Sequence, residues 1–299
     1  MKSITSNKPA LLFAMQKIPA FAVCLFIFSF LTSCFEPKEG CLDINATNYD
    51  VESDDPCPDC CNYPTLSIST LHQVLVKNTL DSFVNLKYNF FYPAPSNDLD
   101  TFAILRSRFF ISNVKLIKQD GTAVGVSDTI GIGFPNGSRV VYEDNFAKLD
   151  RDIFAASAIG TTITEGLFDK INFTLGLPEE LLGLDTASIP AGHPLDFRSD
   201  TIIYQEGTGY VPFFLSVKTD TAAAALPTEM RLFQPSQISL PIEPPVNIEQ
   251  GYNIKLKLRI NYMAWFEGVD FANDSEDAIR QKIAANLPNA FSVTEITFD

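Results

Sequence analysis

Beyond Leu66 the chain alternates between apolar and polar positions. Leu66-Ser67-Ile68-Ser69-Thr70 sets the pattern, and Phe83 to Phe91, Phe109 to Ile117, Ile171 to Leu175, Tyr210 to Val217 and Ile254 to Tyr262 repeat it. A period of two sends successive side chains to opposite faces, so each run predicts a half-buried strand. Turn-forming clusters separate them: Pro93-Ala94-Pro95-Ser96-Asn97-Asp98, Asp120-Gly121, Pro135-Asn136-Gly137 and the stretch from Pro241 to Pro245. Many short strands with little helix between them predict a mainly β protein, an antiparallel β-sandwich. One helix interrupts the pattern near the C-terminus. Ser275 supplies its cap, Glu276 and Asp277 complement its first turn, and Ile279, Ile283 and Leu287 form one apolar stripe before Pro288. A shorter helix is expected from Arg151 to Ala158.

The first 33 residues have a different pattern. Lys2, Lys8 and Lys17 precede Ile18 to Leu31, a run of about 14 residues without a charge. Crossing a bilayer core as a helix takes roughly 20 residues, so the run is a secretion signal rather than a membrane span. Leu31-Thr32-Ser33-Cys34 resembles the bacterial lipobox, which implies diacylation of Cys34 and a mature chain starting there. The alternative is an ordinary signal peptide with a structural Cys34; Phe21-Ala22-Val23 before Cys24 has no such form. Buried acyl chains contribute about 0.8 kcal/mol per CH₂, so the membrane is the expected partner through the anchor. By resemblance to lipoprotein sorting rules, Phe35, where an Asp would favour inner-membrane retention, implies the outer membrane, facing the periplasm or the surface, and Glu36 and Glu39 resemble acidic surface-export tags.

Four cysteines, Cys41, Cys57, Cys60 and Cys61, cluster after the anchor, and none follows. In an oxidising compartment they predict two disulfides stapling a small tether. Three pairings are open, of which one joining the adjacent Cys60 and Cys61 is sterically poor. Cys57-Pro58-Asp59-Cys60 also has the spacing of a zinc ligand pair. The stretch from Gly40 to Tyr49 resembles a short cysteine motif of bacterial surface-protein stalks, with Cys60 and Cys61 as additions to it. Asp43, Asn45, Asn48, Asp50, Asp54 and Asp55 offer oxygen ligands for calcium, although their spacing is not that of an EF-hand and turns use the same residues. The expected organisation is therefore a signal peptide over 1–33, a Cys-rich tether over 34–65 and a β domain over 66–299.

Charge excludes one class of partner. The formal charge is −14, and residues 1–33 hold three lysines and no acids, so removing them makes the balance more negative. Such a chain repels nucleic acid. Catalytic signatures are missing as well: the sequence has no HExxH, phosphate-binding Gly-rich loop or nucleophile elbow. A non-enzymatic role is expected.

The order of the strand blocks resembles the MbnP-like copper-binding domain family over roughly residues 66 to 299. Leu71-His72-Gln73-Val74 with Asn78-Thr79-Leu80 is similar to the family's first strand, histidine and turn. Phe109-Phe110-Ile111-Ser112-Asn113-Val114-Lys115-Leu116 is similar to its aromatic pair and Ser-Asn block. Gly166 to Phe173, continuing to Gly176, His193-Pro194-Leu195, Gly209-Tyr210 and Trp265-Phe266 follow in the family's order. The resemblance implies a secreted protein of copper handling, with copper as the cofactor; calcium, offered only by the oxygen ligands of the tether, is the weaker candidate. One block departs from the family: Thr201-Ile202-Ile203-Tyr204 stands where relatives carry aromatics including tryptophan. A site built on a modified tryptophan is thus not carried over, and Trp265, the single tryptophan, is assigned to the core. Only His72 and His193 supply imidazole, so a copper set would need both of them, or one together with carboxylates such as Asp196. The competing expectation is a surface interaction module without metal, its protein or glycan partner unknown, with hydrogen-bonded structural histidines.

Overall fold

The computed structural model describes residues 36–77, 81–153, 155–197, 200 and 202–299. The signal segment, Cys34 and Asn78-Thr79-Leu80 lie outside the described residues. The sandwich is built from β1 (Thr65–Val76), β2 (Ser82–Asn85), β3 (Phe91–Ala94), β4 (Asn97–Lys118), β5 (Ala147–Asp150), β6 (Ser157–Thr161) and β7 (Gly166–Leu175). It continues with β8 (Phe213–Lys218), β9 (Thr228–Leu232), β10 (Ser236–Ile248), β11 (Ile254–Asn261), α1 (Tyr262–Trp265), α2 (Glu276–Asn286) and β12 (Phe291–Phe298).

An eight-stranded sheet runs β9-β8-β4-β7-β10, with β3, β5 and the short strand Ala123–Val124 also paired to β4. A five-stranded sheet runs β6-β1-β11-β12, with β2 also on β1. Pairing is antiparallel as expected, except that β1 and β11 run parallel. Their register sets Ile260 opposite His72, which brings the residues after β11 beside the middle of β1.

Helix α2 starts where the sequence predicts, with Ser275 Oγ accepting from the Ala278 N–H and with Ile279 and Ile283 buried. Three local expectations fail. The run from Phe83 to Phe91 is not one half-buried strand but β2 and β3, separated by residues 86–90 without strand structure, and β2 is exposed throughout. Arg151 to Ala158 is not a helix: a turn at Arg151 leads, across the undescribed Phe154, into β6. Pro241 to Pro245 is not a break but part of β10, where the register shift opposite Phe168 and Lys170 accommodates the extra residues. Prolines are tolerated there because β10 is the outer strand of its sheet and needs no ladder N–H on its free side. Trp265 lies on the single turn α1 instead of a strand, yet is fully buried, with Phe109, Phe213 and Tyr262 around it.

The large sheet is covered on both faces. Phe109 packs into the interior between the sheets, whereas Phe110 belongs to a second core formed by a cap. That cap consists of the hairpin Thr129–Gly133 and Arg139–Glu143 and of the described residues between 177 and 210. Two-sided burial explains why Phe109, Phe110, Ile111 and Ser112 are consecutively buried in a strand.

The N-terminal module is stapled by Cys41–Cys61 and Cys57–Cys60, which decides among the pairings. Separations of 20 and 3 residues correspond, by loop-closure entropy, to about 3 and about 2 kcal/mol. The module touches the sandwich through its β10–β11 loop. Gly251, at φ +80°, brings the position of a Cβ within 3.0 Å of the Ala46 carbonyl and 3.4 Å of the Ile44 carbonyl.

Candidate functional site

His72 shares the core-facing row of β1 with Leu66, Ile68 and Val74, so the period that buries three aliphatic side chains also buries an imidazole. Both ring nitrogens are engaged: Nδ1 lies 2.7 Å from the Tyr262 hydroxyl and Nε2 2.8 Å from Thr70 Oγ1. Because the Tyr262 hydroxyl donates to Ser107 Oγ, a neutral imidazole with its proton on Nδ1 satisfies both contacts, donating to Tyr262 and accepting at Nε2 from the Thr70 hydroxyl. Burial pushes the His72 pKa down to about 4, against a smaller upward pull from Asp150. The Tyr262 hydroxyl lies 3.3 Å from Ser107 Oγ, and burial raises its pKa well above the ordinary value. A cavity of about 200 Å³ opens beside the imidazole, bordered by Leu71, Asn85, Leu86, Arg151 and Ile153.

Charges meet where the cap joins the sheet. Arg108 of β4 is paired in register with Asp150 of β5, and its Nε and Nη2 lie 2.7 and 2.6 Å from Asp150 Oδ2. Arg108 Nη1 also pairs with Asp200 of the cap, and Lys148 Nζ lies 3.3 Å from that carboxylate. Burial alone would raise the Asp200 pKa, but Arg108 and Lys148 outweigh it and hold the carboxyl below its ordinary value. The Asp150 side chain is inaccessible to solvent, an arrangement that holds only while its charge is paired.

His193 belongs to the cap. Its Nε2 lies 2.7 Å from Asp144 Oδ1, its Nδ1 accepts from the Leu195 N–H at 3.1 Å, and its ring meets Phe146 edge-on. Tyr210 fixes the same turn by donating to the Leu195 carbonyl. Asp196 Oδ2 accepts from the Gly192 N–H at 2.8 Å.

The expected copper set therefore does not assemble. Among the described residues no group of three or more His, Cys, Asp or Glu is arranged to hold a metal ion, so His72, His193 and Asp196 do not converge. A ligating imidazole must present a free lone pair; in both histidines each nitrogen is already hydrogen-bonded. These residues do not fit a ready-made copper centre.

Most of the calcium candidates are already engaged within the module. Asp43 accepts from Asn45 and the Tyr63 hydroxyl, Asn48 bridges Asn62 and Cys60, Asp50 pairs with Lys38 at 2.7 Å, and Asp54 accepts from the Lys38 N–H. Zinc at Cys57 and Cys60 would require free thiols, and the two are joined.

What sequence reasoning missed is that the blocks meet in pairs. Ser112 Oγ donates to the Gly176 carbonyl at 3.0 Å, joining the Ser-Asn block to the end of β7. Asn113 adopts φ +53° at a bulge opposite Asn172 and Thr174, a conformation Asn tolerates better than most residues, and its N–H donates to Asn145 Oδ1. His72 meets Tyr262, three residues before Trp265, while the His193 block meets Tyr210. The repeated blocks thus encode joints between strands, loops and cap.

Fold and geometry define a two-sheet β-sandwich protein with a capped outer face and a disulfide-stapled N-terminal module. The chain belongs to the MbnP family, whose profile matches residues 69–283. Among solved structures it is similar to MbnP from Methylosinus trichosporium at 10% identity, over 69% of this chain and 77% of that one, with a TM-score of 0.35. No curated protein sequence matches.

Proposed function

We propose that this protein is a non-catalytic, lipid-anchored protein of the outer envelope with a role in copper handling. Membership of the MbnP family over residues 69–283 is the observation that carries this reading. The hydrogen-bonded histidines mean that copper uptake by the sandwich requires either a rearrangement around His72 or His193 or an association in which copper keeps donors of its own. Untagged protein equilibrated with micromolar copper and freed of excess should retain a stoichiometric amount by elemental analysis. Retention of none under those conditions overturns the copper role. Anchoring has a separate test: Cys34→Ala should move the protein from the membrane to the soluble exported fraction, and the native N-terminus should carry the mass of acyl groups. An unmodified Cys34 in an intact mature chain would refute it.

A specific observation favours a second reading, an interaction module without metal. A pocket of about 300 Å³ at one end of the sandwich is lined chiefly by apolar side chains, among them Leu75, Tyr92, Pro93, Met263 and Ala264. Copper-free protein that retains a partner through this pocket, and loses it on Ala264→Trp, would establish that reading.

A further inference from the structure

The two disulfides of the N-terminal module differ in what they hold. Cys41 is buried, and Cys41–Cys61 ties the beginning of the module to its exit across 20 residues. Cys60 is exposed and Cys57 half-buried, and their bridge spans three residues within the turn Pro58–Cys60. That turn has supports of its own. Cys60 N–H donates to the Cys57 carbonyl at 3.0 Å, Cys57 N–H to the Gly40 carbonyl at 2.9 Å, and Asn48 Nδ2 to the Cys60 carbonyl at 2.7 Å. Opening Cys57–Cys60 would therefore leave the backbone in place, whereas opening Cys41–Cys61 would release the module.

We propose that Cys57–Cys60 is an exchangeable disulfide whose reduced form chelates one soft monovalent cation, Cu(I). The reductant is a dithiol. One of its thiolates attacks the sulfur of the exposed residue Cys60, the Cys57–Cys60 bond breaks, and Cys57 leaves as a thiolate that takes up a proton. The second thiol of the reagent then displaces Cys60 from the mixed disulfide as a thiolate that also takes up a proton, so two electrons and two protons pass to the protein and the reagent leaves as a cyclic disulfide. The Cα atoms stand 5.5 Å apart across the turn, so both sulfurs can reach one ion. Thiolates are soft donors that select Cu(I), and binding releases the two thiol protons. The exposed carboxylates of Asp55 and Asp59 flank the pair and favour a cation over an anion.

This site goes beyond the copper reading of the sandwich, because residues 57–60 lie outside the matched span of 69–283. The full chain should be treated anaerobically with limiting dithiothreitol and then offered Cu(I) buffered by bathocuproine disulfonate. Alkylation mapping should find Cys57 and Cys60 modified with Cys41–Cys61 intact, and the reduced chain should take one more Cu(I) than the oxidised chain. Cys57→Ser with Cys60→Ser should lose that single increment. Wild type alkylated after reduction should lose it too, which covers the case of a misfolded variant. Reduction of Cys41–Cys61 first, no added Cu(I) after reduction, or the same increment in the variant or the alkylated chain would each overturn the proposal. Copper held elsewhere in the sandwich is counted separately, in the oxidised chain.

Discussion

The two faces of the large sheet are both buried, yet they are closed by different means. On the inner face, Phe109 packs in an apolar interior whose polar inclusions, His72, Tyr262 and Ser107, bond to one another. On the outer face, Phe110 lies under a cap that is fastened by charge and backbone contacts: Arg108 to Asp150 and Asp200, and His193 to Asp144. The inner face is thus closed by sheet packing, with a polar group admitted only when neutral. The outer face is closed by short hairpins and irregular chain that no ladder joins to the large sheet, so specific fasteners are needed to hold them.

Truncating each member of the adjacent phenylalanine pair gives the largest effects and tests the division directly. Phe109→Ala should destabilise the whole sandwich by about 3–5 kcal/mol in urea unfolding. Phe110→Ala should show its effect first as faster proteolysis within 177–210, with the sandwich transition retained. Simultaneous loss of both regions in the Phe110 variant would erase the distinction.

Acid should separate the faces next. His72 has a folded pKa of about 4 against an ordinary 6.5, so between those values the unfolded chain binds more protons. Stability should fall as pH drops from 6.5 towards 4, by about 3 kcal/mol in total. His72→Gln should flatten that limb whatever it does to stability at neutral pH. A wild-type profile that is flat from pH 7 to 4 would contradict the buried neutral imidazole.

His193→Ala should have the smallest effect, about 1–2 kcal/mol, read as increased hydrogen exchange at Leu195 and its neighbours. Protection lost inside β1 instead would show that cap and sandwich are not separable.

Much of the inner architecture was legible beforehand, because period-two patterning is local. Leu66 to Thr70 lies in β1 as predicted, and Ser275 caps α2. The outer cap was less legible: its segments pack by contacts far apart in sequence, and the one local sign was the consecutive pair Phe109 and Phe110. Prolines 241 to 245 misled because a turn signal does not say whether a strand is at an edge, where proline is permitted. The histidines were singled out as the chain's two imidazoles, but their partners were not visible. Tyr262 is 190 residues from His72 and Asp144 is 49 from His193, and no spacing rule spans such separations. Disulfide pairing was narrowed by the steric exclusion of Cys60 with Cys61 and completed only in three dimensions.

Trp265 turns the contrast between the faces into something optical. It is the chain's one tryptophan, it is fully buried on the inner side, and its indole Nε1 has no hydrogen-bond partner. Such an indole should emit at the blue end of the tryptophan range and resist quenching by iodide. Detachment of the cap would leave its colour unchanged, while separation of the sheets would shift it to red, so a single unlabelled emission spectrum distinguishes which face has opened.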